Sequence, residues 1–236
     1  MLNKYLLIGG CLLTLANYAQ AADSVDLKVT GKLLSGSCTP TLENGGVVDF
    51  GHIPLGNLSK TEVNRIGQKH TVFTITCSSS IPVGWTTVDN RHDSLINIPI
   101  KNAYWNGGDN NTGGNQYGLG KTTADTRLGA FVIGVQVDNV SVDGVKGDLI
   151  TWSFGAGQSS ASGSDWVKTS VGATLNGADG NFRGLTIAAS GTLTPLAGKV
   201  FIYPMLITAA IQGTDTLAIT DNTNLDGSAT ISLVYL

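Results

Sequence analysis

The sequence predicts an all-β fold, a sandwich or a barrel, on three observations. Charged residues make up only 13% of the 236 residues while glycine occurs 31 times, and this balance is typical of strands joined by turns. Segments with an apolar residue at every second position recur along the chain, separated by loops rich in Gly, Asn, Asp and Ser. No stretch carries a sustained apolar stripe at the 3.6-residue period of a helix.

The first 21 residues have the pattern of a cleaved export signal. Lys4 gives a positively charged start, YLLIGGCLLTLA supplies an apolar run, and Ala19-Gln20-Ala21 fits a small-x-small cleavage site. The apolar run is too short for a membrane span. We therefore expect a mature chain of residues 22–236, and we expect one domain because no linker-like segment divides it.

Alternating apolar residues predict strands at many places. The mature chain opens with VDLKVTG, in which Val25, Leu27 and Val29 share one face of a half-buried strand. Further strands are predicted for VVDFGHI, HTVFTITCSS, VGWTTV, SLINIPI, GAFVIGVQVDNVSV, DLITWSF, WVKTSVGAT, RGLTIAA, KVFIYPMLITAAIQ and the C-terminal segment SATISLVYL.

Two cysteines, Cys38 and Cys77, remain once the signal is removed. In an exported chain they predict one disulfide, with two free thiols as the alternative. In HTVFTITCSS, Cys77 shares a face with Phe73 and Ile75, so we expect a buried bond that links two strands. The wide spacing and the absence of a CxxC pair do not fit a zinc site.

Charge and motifs argue against several classes of function. The mature chain carries 13 basic and 17 acidic side chains, a balance that does not attract nucleic acid. There is no G-x-S-x-G turn, HExxH pair, P-loop or dinucleotide fingerprint. The segment DNNTGGN imitates a calcium loop, but Gly120 stands where the closing Glu is needed. We therefore predict neither an enzyme nor a metal or cofactor site.

The four tryptophans could form a platform for sugar rings, but burial in a β core explains most of them. Trp105, within NAYWNGGDNN, is the least core-like. It is the residue that we expect to contact a glycan receptor, if the protein binds one.

The chain ends on a strand that needs a partner. In SATISLVYL, the apolar residues alternate with polar ones, which predicts a strand with one buried face. An unpaired edge strand without Lys or Pro is a template for aggregation, so something must cover it. The residues that share the predicted buried face are Ala229, Ile231, Leu233 and Tyr235.

These features, taken in order, resemble the pilins of the chaperone-usher pathway and the related periplasmic fimbrial-like proteins of Gram-negative bacteria. They are the export signal, a strand ending in Cys38, VVDFGHI, FTITC with the second cysteine, LTPLAGKVFIYPMLITAAI, and Tyr235 as the penultimate aromatic residue. The middle of the chain, about residues 85–190, matches only as a generic sandwich with long inserted loops.

The resemblance implies an immunoglobulin-like sandwich that lacks its seventh strand and exposes an apolar groove. A periplasmic chaperone would fill this groove, and at an usher another fimbrial subunit would replace it, in the periplasm or in a surface fimbria. The terminal strand would contact the chaperone, with Leu236 supplying the carboxylate. The candidate donor strand for a neighbouring subunit contains Val25, Leu27 and Val29.

Two other functions stay open on the sequence. A free periplasmic binding or regulatory protein could use the same sandwich, since no donor segment is conclusive. A small outer-membrane β-barrel is the lesser alternative; such barrels usually end on an aromatic residue, whereas this chain ends on Leu236.

Overall fold

The computed structural model describes residues 27–31, 36–154, 166–219 and 222–236. The chain divides into two units, Met1–Leu33 and Leu34–Leu236. The predicted export signal and Val25 lie outside the described residues. Residues 27–31 form no strand, and Leu27 and Val29 are 89% and 87% exposed, so the half-buried strand predicted there is wrong for this stretch.

In the residues that the structure describes, the second unit is built from antiparallel strands, short 3₁₀ turns and a single-turn helix, α1 (Thr214–Leu217). The 3₁₀ turns are Glu43–Gly46, Leu55–Asn57, His92–Ser94, Gly113–Asn115, Val137–Asn139 and Ala178–Gly180. Among the described residues, none of the helices has the length and apolar character that crossing a bilayer requires. The strands are β1 (Cys38–Leu42), β2 (Asn64–Asp89), β3 (Gln116–Gly118), β4 (Gly129–Val135), β5 (Ser141–Val142), β6 (Val145–Lys146), β7 (Asp148–Phe154), β8 (Val167–Lys168), β9 (Phe182–Ala188), β10 (Ala197–Ile211) and β11 (Ala229–Tyr235).

The long strand β2 belongs to two sheets. Its first part pairs with β1 and β10, and β10 continues the first sheet to β4 and β3. Its second part pairs with β11 and β9, and β9 continues the second sheet to β7 and β8. The predicted all-β, sandwich-like fold is confirmed.

The main core forms from the alternating apolar side chains of both sheets. Phe73, Ile75 and Cys77 of β2 are all buried in it, and Cys77 forms a disulfide with Cys38. The two cysteines are directly paired residues of β1 and β2, as the sequence predicted. In the chain-entropy description, closing a loop of this length stabilises the fold by about 4 kcal/mol.

Inserted segments cover the outer faces of the sheets. Ile98 and Ile100 pack with the outward-facing Ala130 and Val132 of β4. On the second sheet, Trp166 packs against Trp152 with ring centroids 4.4 Å apart. The contacts of Ile98 and Ile100 explain why β4 is buried on both faces.

Several predicted strands differ from the structure. The strand expected to end at Cys38 begins there, and FTITC and VGWTTV lie within the single strand β2. SLINIPI forms only an isolated bridge between Ile100 and Asn110. Its apolar side chains cover the outer face of a sheet, and the segment is not itself a strand of that sheet. The segment VVDFGHI, residues 47–53, also forms no strand.

Candidate functional site

The C-terminal strand β11 has one paired and one open edge. Among the described residues, it pairs only with β2. The N–H of Asn90 donates to the carbonyl of Ser228, and the N–H of Leu236 donates to that of Pro82, so the even-numbered residues bond to β2. Because backbone groups alternate in direction along a strand, the odd-numbered ones point to the open edge. These are Ala229, Ile231, Leu233 and Tyr235.

An apolar groove of about 270 Å³ lies beside this open edge. We call it the β11 groove. One wall comes from the end of β1 and the segment after it, the other from β11 and the segment before it, and the floor from β2, β4 and β10. The lining side chains include Leu42, Val48, Phe50, Thr71, Leu119, Phe131, Ile133, Met205, Ile207, Leu225, Ala229 and Ile231.

The β11 groove continues into a second cavity of about 660 Å³, with which it shares the side chains of Val48, Phe50 and Leu225. The second cavity follows residues 48–55 on one side and residues 222–225 on the other. The two cavities therefore adjoin, and an occupant of the β11 groove can extend into the second one.

The chemistry of the β11 groove suits an apolar strand. None of the described residues that line it carries a charge. Thr71 is buried at its floor, and its hydroxyl has no hydrogen-bond partner among the described residues. A buried hydroxyl without a partner costs free energy, so an occupant with a polar atom at this position gains an additional interaction.

An ion pair fixes the chain just before β11. The guanidinium of Arg91 binds both carboxylate oxygens of Asp226, at 2.7 and 3.1 Å. Hydrogen bonding from Arg91 lowers the pKa of Asp226 below its ordinary value. The N–H of Asp226 also donates to the carbonyl of Leu119, so the entry to the strand is held on two sides.

A buried carboxylate lies where β11 begins. Asp89 is the residue of β2 that pairs with Ala229. Its oxygens accept hydrogen bonds from the N–H groups of Arg91 and Gly118. Burial nevertheless raises the pKa of Asp89 above its ordinary value, and these bonds tie the end of β2 to β3.

The structure distributes the predicted terminal residues over several environments. Ala229 and Ile231 line the β11 groove, and Leu233 packs on the main core beyond it. Tyr235 is 53% exposed, and its hydroxyl accepts a hydrogen bond from the N–H of Cys38 at 3.0 Å. Leu236, which carries the terminal carboxylate, is 39% exposed.

Sequence reasoning missed most of the groove lining. Val48 and Phe50 are two residues apart in VVDFGHI, and this spacing predicts that their side chains point to the same face of an extended segment. The first part of β10 alternates in the same way, whereas β4 is buried at every position. The alternation was visible, but nothing in it shows that these side chains border an open space rather than a filled core.

The tryptophans and potential metal ligands also have defined places. Trp85, Trp152 and Trp166 are buried, whereas Trp105 is 43% exposed and meets the ring of His70 edge-on at 5.3 Å. In the part of the chain that the structure describes, no three potential His, Cys, Asp or Glu ligands come together.

Comparison with known proteins places the chain in a family whose function is not assigned. Residues 27–132 match the family described as "Protein of unknown function (DUF1120)". The chain is 30% identical over 232 residues to "Protein GltF" of Escherichia coli (strain K12), covering 92% of this chain and 91% of the relative. The chain belongs to this family. The DUF1120 protein is also 31% identical over 243 residues to "Uncharacterized protein YhcF" of the same organism, with both chains fully covered.

No solved structure matches this DUF1120 protein. The residues matched to the family include β1, the disulfide, one wall of the β11 groove and Thr71. The alignment to YhcF spans the whole chain and therefore also β11, which lies outside the family match.

Proposed function

We propose that this DUF1120 protein is a pilin-like, fimbrial or fimbrial-like structural subunit of the periplasm that has no enzymatic activity. A strand lent by a periplasmic chaperone fills the β11 groove, and a strand of another fimbrial subunit replaces it during assembly at an usher. One observation carries the proposal. The open edge of β11 lies directly beside an apolar groove that no described segment fills.

Backbone pairing explains how such a strand binds. The N–H and C=O groups of the odd-numbered β11 residues point to the open edge, and an added strand pairs with them. Its apolar side chains enter the groove between Val48 and Ile231, removing apolar surface from water at about 25 cal/mol per Å². The added strand also covers an edge that otherwise invites aggregation.

The terminal carboxylate and Trp105 provide two further contacts in this proposal. Leu236 lies at an exposed chain end, where basic side chains of a chaperone reach its carboxylate. Trp105 presents an exposed aromatic face beside His70, and aromatic faces suit the apolar side of a sugar ring. A glycan receptor is therefore the partner that we assign to this second surface.

Amide hydrogen exchange of β11 tests the proposal. In the isolated mature chain at low concentration, we expect the amides of Thr230, Ser232 and Val234, which bond to β2, to exchange slowly and those of Ile231 and Leu233 to exchange fast. In a complex purified from a Gram-negative periplasm with an immunoglobulin-like partner, we expect the amides of Ile231 and Leu233 to become protected as well. Protection that stays confined to the even-numbered residues contradicts strand addition.

A pair of variants separates groove filling from general folding. Ile231→Asp places a charge in the groove and should abolish co-elution with the partner. Ser232→Asp places the same charge on the exposed face of β11 and should leave co-elution intact. Equal co-elution of the two variants, or a wild-type chain that accumulates without any partner, would favour a free periplasmic binding or regulatory protein.

A further inference from the structure

A polar cleft of about 490 Å³ lies away from the β11 groove and shares no lining residue with it. We call it the Arg183 cleft. Its walls come from the loop of residues 104–115, from β7, and from residues 167–173 that follow in the chain. The polar side chains that matter for its chemistry are Asn111, Asn115, Thr151, Ser153, Ser170 and Arg183.

Arg183 is a half-buried cation that forms no ion pair with the described residues. One terminal nitrogen of its guanidinium donates to the carbonyl of Ala173 at 3.0 Å. Among the described residues, no carboxylate lies within ion-pair distance of it. Asp109, which lines the cleft, is paired with Lys101, and Lys168, which also lines it, is paired with Asp148.

The fold holds this guanidinium in place. Arg183 belongs to β9 and pairs directly with Ser153 of β7. Its acceptor Ala173 is itself bridged to Gly134 of β4. Ala173 accepts a hydrogen bond from one nitrogen, and the other N–H groups of the guanidinium have no acceptor among the described residues, so they can bind a ligand. Desolvating a charge without a partner is costly, and a planar guanidinium fork matches a carboxylate.

The rest of the cleft is suited to hydroxyl groups. Thr151, Ser153 and Ser170 offer hydroxyls that both donate and accept, and Asn111 and Asn115 offer amides. The side-chain amide of Asn115 donates to the carbonyl of Thr174 at 2.6 Å, which fixes its orientation. A small sugar fits a cleft of this volume.

We propose that the Arg183 cleft binds a hexuronic acid, a sugar that carries one carboxylate. The carboxylate binds the guanidinium of Arg183, and the ring hydroxyls bond to the hydroxyl and amide side chains of the walls. This site is independent of strand addition at the β11 groove.

Calorimetric titration of the mature chain with glucuronate, glucose and sulfate tests the proposal. We expect saturable 1:1 binding of glucuronate and at least tenfold weaker binding of glucose and of sulfate. Equal binding of sulfate would overturn the assignment of a sugar, and equal binding of glucose would overturn the role of the carboxylate. No saturable binding of glucuronate would overturn the proposal as a whole.

Variants locate the site. Arg183→Gln keeps an N–H donor for Ala173 but removes the charge, so it should weaken glucuronate binding at least tenfold, and Arg183→Lys should weaken it several-fold. Arg127→Gln makes the same change at an exposed arginine outside the cleft and should have no effect. If both Arg183→Gln and Arg127→Gln bind glucuronate as tightly as the wild-type chain, the sugar binds elsewhere and the proposal is overturned.

A further arm identifies the source of the sugar acid. A disaccharide with a terminal glucuronate that binds more tightly than the monosaccharide indicates the end of a polysaccharide chain. Tighter binding of the monosaccharide indicates the free acid. Either result supports the proposed site, provided that Arg183→Gln weakens the tighter of the two ligands.

Discussion

The hydroxyl of Tyr235 accepts a hydrogen bond from the backbone N–H of Cys38, although the two residues are 197 positions apart in the sequence. This contact joins the end of β11 to the start of β1, beside the disulfide. Farther along, the same two strands flank the β11 groove at Ile231 and Leu42. The penultimate tyrosine therefore connects the two walls between which a partner strand is proposed to bind.

Removing this hydroxyl should loosen the end of β11. Tyr235→Phe keeps the aromatic ring and deletes the acceptor, so the free energy of unfolding should fall by about 0.5 to 1 kcal/mol, the usual value for a hydrogen bond at an exposed site. Urea denaturation with the disulfide intact measures this change. Faster exchange of the Cys38 amide is the local signature, and an unchanged exchange rate together with unchanged stability contradicts the structural role of the bond.

A glycine in β9 makes room for a buried tryptophan. A Cβ at Gly184 would overlap the indole ring of Trp152, which is itself almost fully buried. Overpacking of this kind costs about 1 to 3 kcal/mol, so we expect Gly184→Ala to lower the free energy of unfolding by that amount in thermal or urea denaturation.

Gly56 offers a matched control for this substitution. A Cβ at Gly56 meets no atom within 4 Å, so Gly56→Ala should change the free energy of unfolding by less than about 0.5 kcal/mol. If Gly184→Ala and Gly56→Ala have the same free energy of unfolding, the indole ring of Trp152 does not pack tightly against Gly184.

The elements that the sequence predicted well are those with a regular pattern and clear ends. DLITWSF corresponds to β7 residue for residue, since its alternation is bounded by Gly147 and by a glycine-rich segment. The disulfide was predictable because only two cysteines were expected in the mature chain. Ala229 and Ile231 were assigned to a buried face, and their side chains line the β11 groove.

The rest depends on contacts between distant segments. Alternation shows that a face is covered but not what covers it, so SLINIPI was predicted as a strand although Ile98 and Ile100 pack on the outside of a sheet. The β11 groove combines residues as distant as Leu42 and Ile231, and the Arg183 cleft combines residues as distant as Tyr104 and Arg183. No local pattern predicts that Arg183 forms no ion pair with the described residues, because that depends on which acidic residues fold beside it.

The N-terminal segment is the candidate strand for the β11 groove of a second copy. In the described residues 27–31, Leu27 and Val29 are exposed and belong to no strand of their own, so they are free to pair with another molecule. Val25, outside the described residues, continues their alternation. We therefore expect the mature chain, refolded at high concentration without a chaperone, to form oligomers that light scattering detects.

Substitutions on the two faces of this segment decide whether it acts as the donor. Leu27→Ser removes an apolar side chain that would enter the groove, so it should shift the chain towards monomers. Lys28→Ser changes the opposite face of the same extended segment and should leave the oligomers intact, because side chains alternate along a strand. Monomers at all concentrations in the wild-type chain, or oligomers that survive both Leu27→Ser and Ile231→Asp, would show that this segment does not fill the groove.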